Sequence, residues 1–312
     1  MRIILLTGND REHRFVANSL CAEVEIDAIF VDLKPHQTNI RRALKQGRVI
    51  SRIARKVYQR AIRDKRVRDQ VLKRMLDGSD TFNHPERLQY IHGVNSHPTV
   101  TAIEKINPDV ILVYGTSVIK THVCNLAKDI CLNMHTGVSP YYRGTGCAFF
   151  PIVYGDFHRL GATIHECISA LDAGQIFDVV YVVCVPGDNL HTVFARTVIA
   201  GANSYARVVR SYLAGARCGV AQDLSLGREY RGCEYTLGAE LKARWRLWQL
   251  AQDHARASQN WRGDASQKRG DAETTANRRR MNGHPSPTWK YRMFVWWCWR
   301  VLRYGECYGV FD

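Results

Sequence analysis

Residues suited to chemistry concentrate between positions 133 and 174 of this 312-residue chain. Asn133 and His135 lie two positions apart in a mostly apolar run, so on an extended strand their side chains point to the same face. Asp172 arrives later, on a segment that Gly174 predicts to be a loop. An amide, an imidazole and a carboxylate are the groups that transfer of a formyl group to an amine would need.

Each of these three side chains suits one part of that chemistry. Attack of an amine on a formyl carbon produces a tetrahedral species that carries an oxyanion. Asn133 is expected to stabilise this oxygen, because its amide is a fixed, neutral hydrogen-bond donor. His135 is expected to act as general acid and base, because its proton equilibrium lies near neutral pH. Asp172 would orient the imidazole, stabilise its charged form or hold a water that relays protons.

An α/β fold is what the surrounding pattern predicts for positioning these side chains. Strands are predicted over residues 2–8, 26–31, 109–115, 130–135, 161–167 and 176–185, and helices over 12–21, 99–106, 118–126 and 190–213. Strands that alternate with helices indicate parallel pairing through right-handed crossovers. Ligands of such sheets sit at the carboxyl ends of strands, and Asn133 and His135 fall at such an end.

The composition is that of an ordinary soluble protein, with 46% hydrophobic and 23% charged residues. The apolar run Ile3–Leu6 meets Gly8 and Asn9 at once, so it is too short for a secretion signal. Windows of about 20 residues all contain charge, so no membrane-spanning helix is expected. Together these features predict a cytoplasmic protein.

Ten cysteines are scattered along the chain without a C-x-x-C pair. In a chain without a secretion signal, isolated cysteines of this kind indicate reduced thiols in the core. We therefore expect the protein to hold no metal, either in its structure or in its chemistry.

A strongly basic segment runs from Arg41 to Leu76. It contains fourteen Lys or Arg residues against two acids, so it carries +12 of the chain's net charge of +15. Its apolar residues, which include Ile53 and Val57, recur at helical spacing and predict one or two amphipathic helices. The sequence leaves four interpretations open: a solvated helix face whose apolar side lies on the core, or contact with nucleic acid, with a phosphorylated substrate or with an anionic membrane.

The C-terminal part of the chain changes character. Residues 252–287 are rich in small and polar residues and poor in large apolar ones, which predicts a disordered linker. Residues 288–312 are rich in Trp and Arg, and a terminal helix is expected there. This helix either docks on the main domain, which we favour, or makes peripheral contact with a membrane or a partner.

The segment over residues 109–178 resembles the folate-dependent formyltransferases, which take a formyl group from 10-formyltetrahydrofolate. The family includes methionyl-tRNA formyltransferase, glycinamide ribonucleotide formyltransferase and the sugar N-formyltransferases. Its hallmark is N-x-H at a strand end, a loop with Pro and usually Arg-Gly, then G-x-T-x-H and D-x-G. The chain supplies these elements in order, as Asn133, His135, Pro140, Arg143, Gly144, Gly161, Thr163, His165, Asp172 and Gly174.

The resemblance implies a Rossmann-like formyltransferase fold with a mostly parallel sheet. It covers residues 1–205, closely only after residue 109. We expect a catalytic domain over residues 1–214, with the basic segment 41–76 as a helical insertion, and an extension over 215–251. The resemblance also implies 10-formyltetrahydrofolate as co-substrate, while a homodimer remains open.

The same resemblance implies roles for residues around the site. The residues expected to be catalytic are Asn133, His135 and Asp172. The residues expected to bind the folate are Val113, Tyr114, Gly115, Ile168, Leu171 and Ala173. The residues expected to contact the acceptor are Thr136, Tyr142, Arg143 and His165. The sequence equally allows His165 to be a packed, hydrogen-bonded histidine and Arg143 to brace its loop.

Two departures from the family pattern bear on the acceptor. The loop after His135 begins Thr136-Gly137, where the family commonly has Pro-Ser, and the glycine allows a different loop path. Residues 206–312 lack the pattern of the C-terminal β-barrel that the tRNA enzyme carries. The second departure argues against tRNA, whereas the basic segment argues weakly for it or for a small molecule rich in phosphate.

The leading prediction for the acceptor is a nucleotide-linked amino sugar, and methionyl-tRNA is second. Glycinamide ribonucleotide is third, because the single glycine of Thr7–Asp10 predicts a plain turn rather than a phosphate cradle. Another small amine, such as hydroxyornithine, also remains open. A prediction from a different class is a catalytically inactive module that binds a membrane or nucleic acid.

Overall fold

A seven-stranded sheet forms the centre of the computed structural model, which describes residues 1–33 and 49–253. The strands are β1 (Ile3–Thr7), β2 (Ala28–Asp32), β3 (Leu88–Ile91), β4 (Val110–Tyr114), β5 (Ile130–His135), β6 (Tyr142–Gly144), β7 (Gly161–Glu166), β8 (Ile176–Tyr181) and β9 (Arg228–Tyr230). The central sheet has the order β3-β2-β1-β4-β5-β7-β8, and β6 pairs with β9 separately.

The first five strands of that order are parallel, whereas β7 is antiparallel to β5 and β8 is antiparallel to β7. The prediction of a mostly parallel sheet is therefore confirmed. The exception has a simple cause at β7 and β8, which are joined only by residues 167–175. A parallel pair needs a crossover of about a dozen residues or more, so this short connection enforces an antiparallel pair.

Eight helices are present among the described residues. They are α1 (Arg11–Cys21), α2 (Val49–Ala61), α3 (Asp64–Met75), α4 (His97–Ile106), α5 (Thr121–Cys124), α6 (Phe150–Tyr154), α7 (Leu190–Leu213) and α8 (237–253). Of the predicted helices, α1, α4 and α7 are confirmed. α5 is shorter than the predicted 118–126, because the amides of Leu126 and Ala127 bond to carbonyls only three residues back.

Helices cover both faces of the sheet. All residues of β1, β2 and β4 are buried, which is the pattern of strands that are covered on both sides. α1, α3 and α7 pack on one face, with Tyr205 of α7 fully buried. α4 and α5 pack on the other face through side chains such as Ile103 and Val123. The carboxyl ends of β1, β4 and β5 meet at one edge, and this edge carries the candidate site.

The described part of the basic segment forms two helices. α3 places Leu72 in the core, as its spacing predicts. α2 leaves Ile53 56% and Val57 63% exposed, so the expectation that its apolar side lies on the core is wrong. It turns polar groups toward the body instead, where Gln59 donates a hydrogen bond of 2.8 Å to the buried carboxylate of Glu240. A buried carboxylate needs such donors, which explains the reversed face.

Several short elements cannot be predicted from the sequence, because three to five residues show no periodicity. These elements are β3, β6, β9 and α6. The longer α8 also was not predicted, and it falls in the expected extension 215–251. Ala243 and Leu247 of α8 pack against residues of α6 and α7, so this stretch shares a core with the sheet domain.

The chain divides into two compact units, Met1–His254 and Ala255–Asp312, and the second lies outside the described residues. The predicted linker beyond residue 253, the terminal segment 288–312 and residues 41–48 of the basic segment therefore also lie outside them. Within residues 1–33 and 49–253, no helix is both long and apolar enough to cross a bilayer.

Candidate active site

Two neighbouring strands carry the amide and the imidazoles of the candidate site. Asn133 of β5 and His165 of β7 are direct cross-strand partners. Nδ2 of Asn133 lies 3.1 Å from Nε2 of His165. His135 follows two residues later on the same face of β5, and its ring centroid is 6.4 Å from that of His165. The structure thus gathers these three side chains at the carboxyl end of β5.

The carboxylate of Asp172 sits between the two histidines. Its Oδ2 lies 3.4 Å from Nδ1 of His135, and its Oδ1 lies 3.3 Å from Nε2 of His165. The amide of Gly144 donates a hydrogen bond of 2.8 Å to Oδ2. Asp172 has a left-handed backbone conformation, with φ of 50°, which is uncommon for a residue with a side chain. This turn conformation brings the carboxylate into contact with both strands.

The charge on Asp172 follows from its surroundings. Burial alone would raise the pKa of its carboxyl group. His135, His165 and the amide of Gly144 outweigh this penalty and hold the pKa well below its usual range. The group is therefore an anion at neutral pH, placed to stabilise positive charge on either imidazole.

The hydrogen-bond network assigns the protons on both imidazoles. Nε2 of His135 lies 2.9 Å from the carbonyl oxygen of Tyr142, so Nε2 carries a hydrogen and donates it. Nδ1 of His165 lies 2.8 Å from the carbonyl oxygen of Glu166 and donates in the same way. In the neutral rings, Nδ1 of His135 and Nε2 of His165 therefore carry lone pairs, and both face Asp172.

His165 fixes the orientation of the Asn133 amide. In the neutral ring, Nε2 of His165 accepts one of the two hydrogens on Nδ2 of Asn133, whereas in the protonated ring it donates to Asp172. The second hydrogen is left for another acceptor at the half-buried end of β5. His165 itself is buried, and both of its ring nitrogens face protein groups. Both ring nitrogens of His135 likewise face protein groups, so contact of His165 with the acceptor stays a prediction beside its packed, hydrogen-bonded role.

Gly137 accounts for the departure of this loop from the family pattern. A Cβ atom at position 137 would lie 2.5 Å from Nε2 of His135 and from Cβ of Cys147, and 2.8 Å from the carbonyl oxygen of Tyr142. Such distances are far below van der Waals contact, so only glycine lets the loop fold back over His135. Thr163 of β7 secures the loop, because its hydroxyl donates a 2.8 Å hydrogen bond to the carbonyl of Gly137.

Gln222 is a site residue that sequence reasoning missed. Its Nε2 donates hydrogen bonds to the carbonyl oxygens of Asp172 (3.0 Å) and Gly174 (2.6 Å), which fixes the turn that presents the carboxylate. Gln222 lies fifty residues after Asp172, in a segment of weak pattern. No local sequence feature marks it, because the contact exists only once the chain has returned to the site.

Tyr205 of α7 is a second missed residue. Its hydroxyl accepts a hydrogen bond from the amide of Val113 in β4 (2.9 Å) and donates one to the carbonyl of Leu132 in β5 (2.7 Å). Tyr205 thereby bridges the two strands immediately before Asn133. A tyrosine on the apolar face of a helix was the available signal, since a buried phenol hydroxyl needs a partner.

One segment expected to bind folate lies at the end of β4. Val113 is the register partner of Asn133, and Tyr114 and Gly115 follow it at the same sheet edge. The side chains of Val113 and Tyr114 are buried, so this segment can offer a ligand mainly its backbone. The other expected segment lies on the turn that carries Asp172, on the opposite side of Asn133. There Ile168 is 42% exposed, and Leu171 and Ala173 are half-buried.

The other three residues expected to contact the acceptor differ in their burial and in their contacts within the protein. Thr136 is half-buried on the loop after β5. The side chain of Tyr142 is buried: its hydroxyl donates to Asp156 (2.8 Å) and its ring stacks on Tyr230. Its carbonyl oxygen contacts Nε2 of His135, and contact of Tyr142 with the acceptor stays a prediction. Nε of Arg143 is buried without a hydrogen-bond partner in the described part of the chain, so it retains a donor for a ligand.

The turn after β1 leads directly into α1 and is filled by a histidine. The ring of His13 packs edge-on against Tyr114, with centroids 5.4 Å apart. Its Nδ1 accepts a 3.1 Å hydrogen bond from the amide of Asp10, the residue that caps α1. Cβ atoms at Gly8 and Gly115 would approach this ring to within 2.5 Å and 2.1 Å. The two glycines therefore serve to admit His13.

A cationic cleft of about 950 Å³ lies beside this turn. The Lys and Arg residues that line it are Arg11, Arg14, Arg60, Arg63, Lys65, Arg66, Arg68 and Lys73, against the acids Asp10 and Asp69. Arg11 is paired with Asp80, and Arg68 with the buried Glu12. The five cations at positions 60, 63, 65, 66 and 73 are exposed. Their summed positive potential suits an anionic ligand.

The cleft reaches the carboxyl end of β1 through Asp10 and Arg11, whereas the rest of its lining comes from α1, α2, α3 and the residues that join α2 to α3. α1 starts at the carboxyl end of β1, and Asn133 lies at the carboxyl end of β5. β4 alone separates these parallel strands, so their ends are about 10 Å apart. A ligand that reaches the network could therefore extend toward the cleft.

Comparison with known proteins identifies the source of these features. The family model described as "Formyl transferase" matches residues 77–209. A methionyl-tRNA formyltransferase from Streptococcus suis is 30% identical over 95 residues, which are 30% of each chain. The methionyl-tRNA formyltransferase from Lacticaseibacillus casei is 28% identical over 141 residues, 45% of this chain and 42% of that one. The matched region thus spans less than half the length of these curated relatives.

Solved structures resemble the chain over a larger part of its length. A sugar N-formyltransferase from a Shewanella species superposes with a TM-score of 0.51 and 15% identity, over 79% of this chain and 88% of that one. A 4-N formyltransferase from Francisella tularensis gives a TM-score of 0.50 and 14% identity, over 79% and 87%. An N-formyltransferase from Helicobacter canadensis gives 0.50 and 12%, over 79% and 80%. These similarities show a shared fold.

Proposed function

We propose that the chain is a folate-dependent formyltransferase that transfers a formyl group from 10-formyltetrahydrofolate to a primary amine, in line with its similarity to formyl transferases over residues 77–209. The observation that carries this proposal is the closed network in which the ionised Asp172 contacts His135 and His165, while His165 orients Asn133. A fixed amide donor, an imidazole with a free lone pair and a buried anion are the groups that this transfer needs.

In the proposed reaction, the acceptor amine attacks the formyl carbon and forms a new C–N bond, and the bond from that carbon to N10 of the folate breaks. The free N–H of Asn133 donates to the formyl oxygen as negative charge develops there. His135 takes the amine proton at Nδ1, the nitrogen that faces Asp172, through a water held by this carboxylate, and returns it to the departing N10 by the same route. Asp172 stabilises the imidazolium between these steps. The products are a formamide and tetrahydrofolate, and the protons balance.

We assign positioning roles to the groups that surround these three residues. The Tyr142 carbonyl sets the tautomer of His135, and His165 sets the orientation of the Asn133 amide. Gln222 and the amide of Gly144 hold Asp172 in place. An enzyme gains rate when its catalytic groups are already arranged before the substrate binds. Each of these contacts is made within the protein itself.

We place the folate between the end of β4 and the turn that carries Asp172. The exposed Ile168 and the half-buried Leu171 and Ala173 present an apolar strip suited to a flat ring. The backbone of the β4 end offers hydrogen-bonding groups on the other side of Asn133. These two segments would hold the folate next to Asn133 and His135 without requiring any side chain of β4.

For the acceptor, we infer a nucleotide-linked amino sugar. The cationic cleft supports this choice, because it would hold diphosphate beside the carboxyl end of β1. The Helicobacter canadensis enzyme was solved with folinic acid and dTDP-3-aminofucose, an acceptor of this class.

Methionyl-tRNA is the second candidate acceptor. The curated relatives with matching sequence carry this name, and the eight cations of the cleft also suit a polyanion. The two acceptors differ in the number of phosphates that the protein contacts. The affinity for tRNA would fall steeply as the salt concentration rises, whereas the affinity for a nucleotide sugar would fall only slightly.

The proposal is tested by release of tetrahydrofolate from 10-formyltetrahydrofolate in the presence of different amines. The panel contains nucleotide-linked amino sugars, methionyl-tRNA, glycinamide ribonucleotide and hydroxyornithine, each at low and high salt. Folate binding is measured separately by fluorescence quenching. Release that depends on a nucleotide sugar supports the proposal, and release that depends on tRNA would move the second candidate to first place. Absence of folate binding would contradict the enzyme assignment and favour an inactive binding module.

A further inference from the structure

Three cysteines that are scattered in sequence converge beneath the candidate site. The Sγ atoms of Cys124, Cys131 and Cys167 all lie within 4.8 Å of one another. Cys131 precedes Asn133 on β5, and Cys167 follows His165 at the end of β7. The amide of Cys167 donates a 2.7 Å hydrogen bond to the carbonyl of Cys131, which continues the antiparallel register by one step. The third thiol comes from α5, which packs over these strands.

The cluster is buried in an apolar environment. Cys124 and Cys131 are buried and Cys167 is half-buried, and they belong to the core that α4 and α5 form on this face. In the part of the chain that the structure describes, the group contains no fourth Cys, His, Asp or Glu ligand atom. The other described cysteines lie outside it. These three residues are free thiols of the core, as predicted, but they lie beside one another, which their spacing in the sequence does not indicate.

The three sulfurs converge on one point. Each residue offers one Sγ atom, and these atoms lie close enough together to contact a single ion. Two of the sulfurs come from neighbouring strands and the third from a helix, so the set is fixed by three separate elements of the fold. Binding of a metal ion would release the thiol protons to solvent.

We propose that Cys124, Cys131 and Cys167 form a three-thiolate site for a soft metal ion, of the class that includes Cu⁺ and Zn²⁺. Thiolate ligands select these ions over hard cations. Three sulfurs bound at about 2.3 Å in one plane lie about 4 Å apart, so the observed spacing needs only a small contraction. Cu⁺ is satisfied by the three sulfurs alone, whereas Zn²⁺ would take a water as its fourth ligand.

The site is distinct from the reacting groups but adjacent to them. Cys131 and Cys167 form the cross-strand pair next to Asn133 and His165, on the same face of the sheet. A bound ion would tie β5, β7 and α5 together directly below the catalytic layer. We expect it to act on the stability of these strands, because any ligand that binds only the folded state stabilises that state.

The test uses the full chain, purified under a phosphine reductant and freed of metal. Zn²⁺ is added in one arm and Cu⁺ in a second, anaerobic arm, and retained metal is counted by mass spectrometry after desalting against a competing chelator. X-ray absorption then counts sulfur ligands, and thermal unfolding is followed with and without metal. The variants are Cys124→Ser, Cys131→Ser and Cys167→Ser. The matched control is Cys184→Ser, a buried cysteine in a different core.

We expect the wild type and Cys184→Ser to retain one equivalent of metal with three sulfur ligands and to unfold several degrees higher with it. Each cluster variant should lose at least nine-tenths of the bound metal. Should Cys131→Ser fail to fold, Cys124→Ser decides the question, because its sulfur comes from a short helix at the edge of the core. A wild type that retains no metal in either arm, or a folded Cys124→Ser that retains as much as the control, would overturn the proposal.

Discussion

The Asp172 network and the cationic cleft are built in opposite ways. In the network, short side chains on strands and one turn are mostly buried, and their polar atoms meet protein partners at fixed distances. In the cleft, long Arg and Lys side chains are mostly exposed, and within residues 1–33 and 49–253 only Arg11 and Arg68 of this set form ion pairs with acids. The network holds one buried charge, whereas the cleft combines many exposed ones.

This difference separates two tasks of a transferase. A buried anion held by fixed partners acts strongly on one imidazole, because little water screens it. Exposed cations act weakly one by one, but their combined field attracts anionic ligands over a longer range. We therefore expect changes in the network to destroy the reaction, and changes in the cleft to alter only the affinity for the acceptor.

The largest effect should come from Asp172→Asn. The amide keeps the shape of the carboxylate but removes the charge that stabilises the imidazolium of His135, so kcat should fall roughly 10³- to 10⁴-fold. Folate binding should persist. Asp178→Asn is the matched control, because Asp178 is a partly exposed carboxylate on β8 that bonds to Ser204 and Arg207. Equal activity of the two variants would make Asp172 a structural residue.

A smaller loss is expected from Gly137→Ala. The new Cβ would meet Nε2 of His135 at 2.5 Å, so the loop or the imidazole must move. A displacement of about 1 Å in a catalytic group can cost 10²-fold in rate, and we expect a fall in kcat of this order. Gly238→Ala serves as control, because its nearest neighbour would be a hydroxyl at 3.8 Å. Wild-type kcat in Gly137→Ala would show that the position of His135 does not limit the reaction.

Acid should weaken the network through Asp172. The folded-state pKa of this carboxyl is depressed, so its stabilising contribution is complete above the unfolded pKa of about 3.9 and disappears as pH falls through the lower folded value. The difference in unfolding free energy between wild type and Asp172→Asn should therefore shrink between pH 5 and pH 3. Denaturant titrations at both pH values measure it. A difference that stays constant would mean that the carboxylate is not stabilised by its neighbours.

The cleft should give the smallest effect. Lys65→Ala combined with Arg66→Ala removes two exposed cations, so KM for a phosphate-bearing acceptor should rise by about tenfold at low salt while kcat stays unchanged. The rise should disappear at high salt, where exposed charges are screened. Lys105→Ala combined with Lys120→Ala removes the same charge away from the cleft and should leave KM unaltered. A fall in kcat in the Lys65→Ala/Arg66→Ala variant would show that the cleft also contributes to the catalytic step.

The contrast between the two regions also shows what the sequence could predict. Asn133, His135 and Asp172 were identifiable because their spacing follows from strand alternation and a family motif. Their partners were not, since the Tyr142 carbonyl is a backbone group and Gln222 comes from a distant segment. The orientation of α2, with Ile53 and Val57 exposed, depends on the buried Glu240 of α8. The convergence of three cysteines likewise requires the register of β5 and β7, which periodicity alone does not provide.

The fold was easier to predict from the sequence than these contacts. Continuous apolar strands such as β1 and β4 can be predicted from their composition. Long helices such as α7 can be predicted from their periodicity and length. Short elements depend on tertiary pairing, as β6 and β9 do when they hold Gly144 against Asp172. The residues that set the geometry of the candidate site therefore lie largely in the elements that sequence describes least well.

The central claim is that His135 moves the proton in a formyl transfer to an amine. The most direct test is a single-turnover reaction of wild type and His135→Ala with 10-formyltetrahydrofolate and the acceptor found in the amine panel, followed by mass spectrometry of the acceptor. We predict that wild type adds one formyl group, and that His135→Ala binds folate with similar affinity but forms almost no product. Near-normal product formation by a folded His135→Ala would contradict the claim.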